Sequence, residues 1–119
     1  MSIFSTEVET KEVHKKEQLR THYYRNNFND VLNAFNKIAE EDNMEVQHVD
    51  KKWGEVYIIA NGYEVIAIVN QITPLETAVD FKINYFVTFG FNRPMKRAVH
   101  LYERLDSMLN FKGTMLHVN

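Results

Sequence analysis

The spacing of hydrophobic residues between positions 28 and 39 predicts an amphipathic helix. Apolar side chains recur there every three or four residues and therefore lie on one helical face. These residues are Phe28, Val31, Leu32, Phe35, Ile38 and Ala39. Asn26 or Asn27 can cap the start of this helix, and the pattern ends around Asp42 and Asn43.

Strand-like patterns flank this helix on both sides. One such run precedes it and four follow it, at 19–25, 44–50, 55–60, 63–71 and 77–89. Asn61 and Gly62 separate two of these runs and predict a hairpin with a type I′ turn, because both residues tolerate positive φ. In the last run, alternation places one set of apolar residues toward the core: Val79, Phe81, Ile83, Tyr85, Val87 and Phe89. Asp80 and Lys82 alternate outward, which predicts a solvent or cross-strand role for Asp80.

A second helix is predicted after the last long strand, with Asn92 as its cap and Pro94 in its first turn. Its buried stripe consists of Met95, Ala98, Val99, Tyr102, Leu105 and Leu109. The helix is expected to end at Asn110 or Gly113, and the following residues return as a short strand.

The elements predict a two-layer α+β domain in the order β-α-β-β-β-β-α-β. Consecutive strands joined by short turns form an antiparallel sheet of four to six strands, and two helices with single apolar stripes pack on one of its faces. This order resembles that of TATA-box-binding domains in arrangement only, and no motif assigns the chain to a family. Residues 18–119 are interpreted as this single domain, and residues 1–17 as a polar arm or marginal helix.

Composition limits the classes of function. The 119 residues contain no cysteine, which excludes a disulfide framework and a thiolate zinc site. The formal net charge is −2, so the chain has no general attraction for nucleic acid or anionic membrane. No apolar run approaches the roughly 20 residues that cross a bilayer. A cytoplasmic protein with no membrane contact is the expectation.

The second face of the predicted sheet is unusually apolar. Hairpin pairing places Tyr57, Ile59, Ile66 and Ile68 on the side away from the helices, where an antiparallel sheet normally presents polar residues. An apolar patch of this kind indicates a homodimer or partner interface. Cover by the N-terminal arm or the C-terminal tail of the same chain is an equally open interpretation. Binding of nucleic acid there is disfavoured by the neighbouring Glu55.

No catalytic motif is present. The histidines at 14, 22, 48, 100 and 117 are scattered, and neither HExxH nor a glycine-rich phosphate loop occurs. The acidic run at 40–42 is interpreted as a solvated helix end. No metal and no cofactor are expected, and an enzyme is the least favoured class.

A cluster of positive charge marks the junction Gly90–Arg97. Arg93, Arg97 and His100 share one face of the predicted second helix, together with Arg104, and Lys96 lies beside them. Cations near a helix N-terminus oppose the helix dipole, whereas free N–H groups there can bind phosphate or carboxylate. Solvated surface is the favoured interpretation, and an anion-binding site formed by Arg93, Lys96, Arg97 and His100 is the alternative.

These observations predict a small non-enzymatic module that binds a protein partner or forms a homodimer through the apolar sheet face. The alternative is a domain that binds a small anionic ligand at the junction Gly90–Arg97.

Overall fold

The computed structural model describes residues 6–86 and 93–114. Its helices are α1 (Phe28–Glu41) and α2 (Arg93–Met108). Its strands are β1 (Glu7–Glu9), β2 (His22–Tyr24), β3 (Glu45–Asp50), β4 (Glu55–Ala60), β5 (Tyr63–Thr73), β6 (Glu76–Tyr85) and β7 (Phe111–Gly113). The predicted α+β class and element order are confirmed, and β1 adds a strand ahead of that order.

The strands within the described residues form one antiparallel sheet with the order β3-β4-β5-β6-β2-β7. β1 and β2 share one edge of β6, where Val8 lies opposite Ile83 and His22 lies opposite Val79. Two short strands therefore complete the edge of one long strand. In the gap between them, Thr10 makes both hydrogen bonds to the backbone of Phe81. The Thr10 N–H donates to the Phe81 carbonyl oxygen, and the Phe81 N–H donates to the Thr10 hydroxyl oxygen.

Both helices pack on the same face of the sheet. The ring of Phe81 on β6 contacts Phe35 of α1 edge-on, with a centroid distance of 5.9 Å, and Tyr102 of α2, with a centroid distance of 4.9 Å. These three rings are buried. Removing an aromatic side chain of this size from water contributes about 1.5–3 kcal/mol. The two-layer arrangement with both helices on one face is thereby confirmed.

Local sequence explains the boundaries of α1. The Asn27 side chain accepts a hydrogen bond from the Asp30 backbone N–H (2.9 Å), and the Asp30 carboxylate accepts one from the Asn27 N–H (3.3 Å). This reciprocal pair is a capping box, which satisfies N–H groups that the first turn leaves without helical partners. Asn43 takes a positive φ of 55° just after the helix and ends it.

The hairpin between β4 and β5 has the predicted register but not the predicted turn. Ala60 lies opposite Tyr63, and Ile58 opposite Val65. Gly62 has a φ of 91°, whereas Asn43 is the only non-glycine residue with positive φ in the described part of the chain. Asn61 therefore has negative φ, and the type I′ prediction is wrong, because that turn requires positive φ at both central residues.

β6 shows the predicted alternation over its described length. Val79, Phe81, Ile83 and Tyr85 are buried toward the helices. The prediction extended this strand to Phe89 and placed a cap at Asn92. Residues 87–92, which include Gly90, lie outside the described residues, so these two points stay predictions.

The described part of the N-terminal segment begins with a strand, and a short 3₁₀ helix, Glu17–Leu19, starts at its end. Glu7–Glu9 form β1, and the side chain of Val8 is buried in the core while both glutamates face outward. Tertiary pairing with β6 thus determines the conformation of a segment whose own hydrophobic spacing is too irregular to specify one. The division of the chain at residue 17 stays a prediction.

Candidate functional site

A stacked pair of tyrosines lies at the end of the sheet where β4 turns into β5. Tyr63 begins β5 and Tyr85 ends β6, and the two residues are direct cross-strand partners. Their ring centroids are 4.8 Å apart, with an angle of 16° between the ring planes. Both side chains are buried on the helix-facing side. The pair forms a flat aromatic support beneath the start of α2.

Two arginines of α2 lie on this aromatic support. The guanidinium carbon of Arg93 is 4.8 Å from the centroid of the Tyr85 ring, and that of Arg97 is 4.8 Å from the centroid of the Tyr63 ring. Both distances are within the range of a cation–π contact. The Arg97 Nε–H also donates to the Tyr85 hydroxyl oxygen at 3.4 Å. One helical turn separates the arginines, so the spacing of the ring pair matches the helical repeat.

These groups form the wall of an open cleft of about 370 Å³. Its lining residues are Tyr85, Arg93, Lys96, Arg97 and His100. The four residues that the sequence proposed as an anion site therefore line one cavity. No carboxylate is among these described lining residues, although the Asp42 carboxylate lies behind the cleft and contacts His100.

The guanidinium of Arg97 is half-buried yet stays charged. Burial by itself lowers the pKa of Arg97, but the hydrogen bond with the Tyr85 hydroxyl and the nearby Asp42 carboxylate raise it above the ordinary value. The fixed positive charge therefore lies partly out of water, where its interaction with an anion is screened less than on an open surface.

The remaining cations of the predicted stripe contact the C-terminal end of α1. His100 Nε2 lies 3.0 Å from a carboxylate oxygen of Asp42, and Arg104 donates to the other oxygen of Asp42 at 3.1 Å. Arg104 also pairs with Glu41. The interpretation of this acidic run as a solvated helix end is therefore wrong for Asp42, because α2 places two cations against it, whereas Glu40 and Glu41 remain exposed.

The apolar residues proposed as an interface lie together on the outer face of β4 and β5. Tyr57 is directly opposite Ile66, and Ile68 is opposite Glu55. Ile68 is 37% exposed, whereas Tyr57, Ile59 and Ile66 are half-buried. The Tyr57 hydroxyl donates to Glu64 at 2.8 Å, which gives the patch a polar border. β1 lies within the sheet, at the edge of β6, and leaves Ile68 exposed.

Of the two roles predicted for Asp80, solvent contact and cross-strand contact, the structure shows the cross-strand one. Asp80 lies at the gap between β1 and β2, where the Thr10 hydroxyl donates to it at 2.7 Å and the Thr21 hydroxyl at 2.8 Å. Burial raises the pKa of the Asp80 carboxyl, and the two threonine hydrogen bonds lower it in part. The Thr10 oxygen lies 2.9 Å from the Tyr102 hydroxyl, which donates to a backbone carbonyl of β6. The gap is closed by a polar network inside the fold.

A second polar group that sequence patterns did not reveal surrounds His22. Its ring stacks on Tyr102 with a centroid distance of 3.6 Å, and its Nδ1 lies 2.9 Å from a carboxylate oxygen of Asp106. Tyr24 donates to the same oxygen at 2.7 Å. His22 and Asp106 are 84 positions apart, so only the packing of α2 on β2 brings them together. The ring stacking and the hydrogen bonds join β2 to α2.

Other kinds of site receive no support from the described ranges. Within residues 6–86 and 93–114, no three His, Cys, Asp or Glu side chains are grouped as metal ligands would be. Over the same residues, neither helix has the length and apolar character needed to cross a bilayer.

Comparison of the chain with protein-family models, with curated proteins and with solved structures finds no match.

Proposed function

We propose that this chain is a small, non-catalytic domain that binds an anionic ligand in the cleft at the start of α2. The ligand class is a phosphate monoester or a carboxylate. The principal observation is that Arg93, Lys96, Arg97 and His100 line one cleft without a carboxylate among its described lining residues. Placement of the domain in the cytoplasm is part of the proposal and rests on the absence of cysteine from the sequence.

The energetics of α2 favour this function over a solvated surface. Cations in the first turn of a helix oppose the helix dipole at a cost of about 0.3–1 kcal/mol each. Like charges one turn apart, such as Arg93 and Arg97, repel each other by a few tenths of a kcal/mol. A bound anion between them offsets both costs, because it neutralises the repulsion and accepts hydrogen bonds from both guanidinium groups.

The aromatic support also fits the proposal. A guanidinium presents its N–H donors in a rigid plane, which matches the two oxygens of a carboxylate or a phosphate. The ring contacts of Arg93 and Arg97 fix the orientation of those planes before any ligand arrives. Less side-chain entropy is then lost on binding, and the cleft is organised in advance for a doubly charged anion.

A titration followed by NMR tests the proposal. Inorganic phosphate, glycerol phosphate and succinate are each added to the uniformly labelled protein at low ionic strength. We expect saturable chemical-shift changes at Lys96, Arg97 and His100. Arg97→Ala is expected to weaken binding by about tenfold to a hundredfold, since a charge-assisted hydrogen bond contributes about 1.5–3 kcal/mol.

Lys82→Ala is the matched control, because Lys82 is an exposed cation on the opposite face of the sheet. It lowers the net charge by the same amount and is expected to leave affinity unchanged. No shift changes at α2 with any of the three anions, or equal losses from Arg97→Ala and Lys82→Ala, are results that contradict a specific cleft.

Self-association through the outer sheet face is a second proposed function. The supporting observation is that Ile68 is exposed on the outer face of the sheet, beside the half-buried residues Tyr57, Ile59 and Ile66. In a monomer this apolar face contacts water. Phe86, at the end of β6, is 56% exposed. A second copy of the chain is the proposed partner. A two-fold dimer brings the same patch of both copies into contact, so each apolar patch covers the other.

Sedimentation over a range of concentrations tests this second function. We expect a dimer that Ile68→Lys converts to a monomer, because a buried unpaired charge disrupts an apolar interface. Leu75→Lys is the control, since Leu75 is equally apolar and more exposed but lies in the β5–β6 turn. A wild-type protein that stays monomeric at high concentration contradicts the proposal.

A further inference from the structure

A large aromatic side chain is exposed at the opposite end of the sheet. Trp53 lies in the turn between β3 and β4, where its side chain is 71% exposed. It is the only tryptophan of the chain. An exposed indole contributes little of the free energy that burial of the ring would supply. A turn between two strands does not require an aromatic residue.

The backbone around Trp53 is held in a defined position. The Trp53 N–H donates to the Asp50 carboxylate at 3.1 Å, and the next residue, Gly54, pairs with Val69 of β5. Gly54 has a φ of 71°, and a Cβ atom at this position would lie 2.2 Å from the Val69 carbonyl oxygen. The close approach of the two backbones therefore fixes the backbone of the turn from which the indole projects.

A cleft of about 440 Å³ lies beside this indole. Lys51 and Lys52 line it, and the amide side chains of Asn29 and Asn70 contribute to its wall. The described residues that line it include no carboxylate. Lys52 Nζ lies 5.6 Å from the centroid of the indole ring, so one of the charges is close to the aromatic surface.

The chemistry of this cleft differs from that of a simple anion site. An exposed indole offers a flat surface on which a planar ring stacks. The lysines supply positive charge at the same place, and the amides can both donate to and accept from the edge of a ring. A neutral ring leaves the lysine charges unmatched, and a small inorganic anion leaves the indole uncovered.

We propose that the cleft beside Trp53 is a second ligand site, which binds an aromatic anion of the kind that a nucleoside monophosphate represents. The base stacks on Trp53, Lys51 and Lys52 bind the phosphate, and Asn29 and Asn70 contact the edge of the base. The site is independent of the cleft on α2. Tyr63 begins β5, whereas Val69 and Asn70 lie toward its other end, so the two clefts lie at opposite ends of the sheet.

Intrinsic fluorescence tests this proposal, because the only tryptophan of the chain lies at this cleft. Adenosine monophosphate, adenosine and inorganic phosphate are titrated separately, with excitation at the red edge of the indole band. We expect saturable quenching by the monophosphate, weaker quenching by adenosine and none by phosphate. Lys51→Gln combined with Lys52→Gln is expected to weaken the monophosphate about tenfold and to leave adenosine unchanged, since only the charged ligand loses a partner.

Two further variants control for charge and for the indole. Lys15→Gln combined with Lys82→Gln removes the same charge at exposed positions away from the cleft and is expected to preserve quenching. Trp53→Ala, measured by calorimetry, is expected to weaken the monophosphate about tenfold or more, because base stacking is lost.

Three results would overturn the proposal. One is the absence of any quenching by the monophosphate. Another is unchanged calorimetric affinity in Trp53→Ala, which places the ligand elsewhere. The third is a blue shift with phosphatidylserine vesicles but no response to the monophosphate, which makes the turn a lipid-docking element instead.

Discussion

At one end of the sheet, Tyr63 and Tyr85 are buried and two arginines rest on their rings, while at the other end Trp53 is exposed with Lys52 beside it. Both ends combine aromatic rings with cations and lack carboxylates among their described lining residues. They differ in which partner faces water. On α2 the rings support the charges from below, whereas beside Trp53 the ring itself is the exposed surface.

This difference separates two ways of organising a binding surface. Buried rings hold Arg93 and Arg97 in place in the folded chain, so little further ordering is needed when an anion binds. Lys51 and Lys52 are exposed side chains on a turn, and their ordering accompanies binding. The α2 cleft is therefore expected to discriminate anions by geometry, and the Trp53 cleft by the presence of a planar ring.

The largest expected contrast concerns the stability of the two ends. Tyr85→Ala removes a side chain that is only 5% exposed and should lower the free energy of unfolding by about 3–5 kcal/mol, because it leaves a cavity and unsupported arginines. Trp53→Ala should change the free energy of unfolding by less than about 0.5 kcal/mol, since the indole is mostly in water. Urea unfolding of both variants measures the difference. Equal losses would show that Trp53 is a core residue and not a contact surface.

The two glycine turns give the next contrast. Gly54→Ala should cost about 3 kcal/mol, because the new Cβ meets the Val69 carbonyl and the residue also has positive φ. Gly62→Ala should cost only about 1–2 kcal/mol, since its Cβ enters open space and positive φ alone is unfavourable. Thermal unfolding compares the two. If Gly62→Ala is the more damaging change, the close backbone approach at Gly54 does not fix the Trp53 turn.

A smaller effect on phosphate affinity separates the contribution of the aromatic support from that of the positive charge. Arg97→Lys keeps one positive charge but removes the planar contact with Tyr63 and the Nε–H bond to Tyr85. Phosphate affinity is expected to fall about fivefold, equivalent to about 1 kcal/mol. Lys82→Arg serves as the control on the other face, with no expected change. Full affinity in Arg97→Lys would mean that charge alone, and not its orientation on the ring, governs binding.

Asp80, between the two ends, provides the smallest predicted effect, and it depends on pH. Burial raises the pKa of its carboxyl in the folded chain, so its favourable contribution is fully present below the unfolded pKa. That contribution is lost as the pH rises through the folded pKa. Asp80→Asn stays neutral throughout, so its stability relative to the wild type should improve as the pH rises from about 3 to 7. Thermal melts across that range are the measurement. A constant difference would show that the two threonine hydrogen bonds fully offset burial.

Much of the fold could be predicted because its signals are local. The apolar spacing of α1 and the Asn61-Gly62 hairpin depend on neighbouring residues alone, and both elements were placed correctly. The strand around Val8 has no sequence signal, because three residues have too little pattern of their own, and pairing with β6 determines their conformation.

Only part of the candidate sites could be predicted from the sequence. Helical spacing alone groups Arg93, Arg97 and His100 on one face of α2. The stacking of Tyr63 on Tyr85 depends instead on the register between β5 and β6, and Trp53 lies between two predicted strands, at 44–50 and 55–60. No periodic pattern in the sequence reveals the stacking of the two tyrosines or the exposure of Trp53.

The sequence by itself determined the helices, the long strands and the face of α2 on which its cations lie, because backbone periodicity and capping act over a few residues. Only the tertiary structure decided which of those cations meet an aromatic ring, as Arg97 does, and which meet a carboxylate, as His100 does. Those choices depend on where α2 lies relative to α1 and β6, and residues far apart in the chain determine that placement through packing.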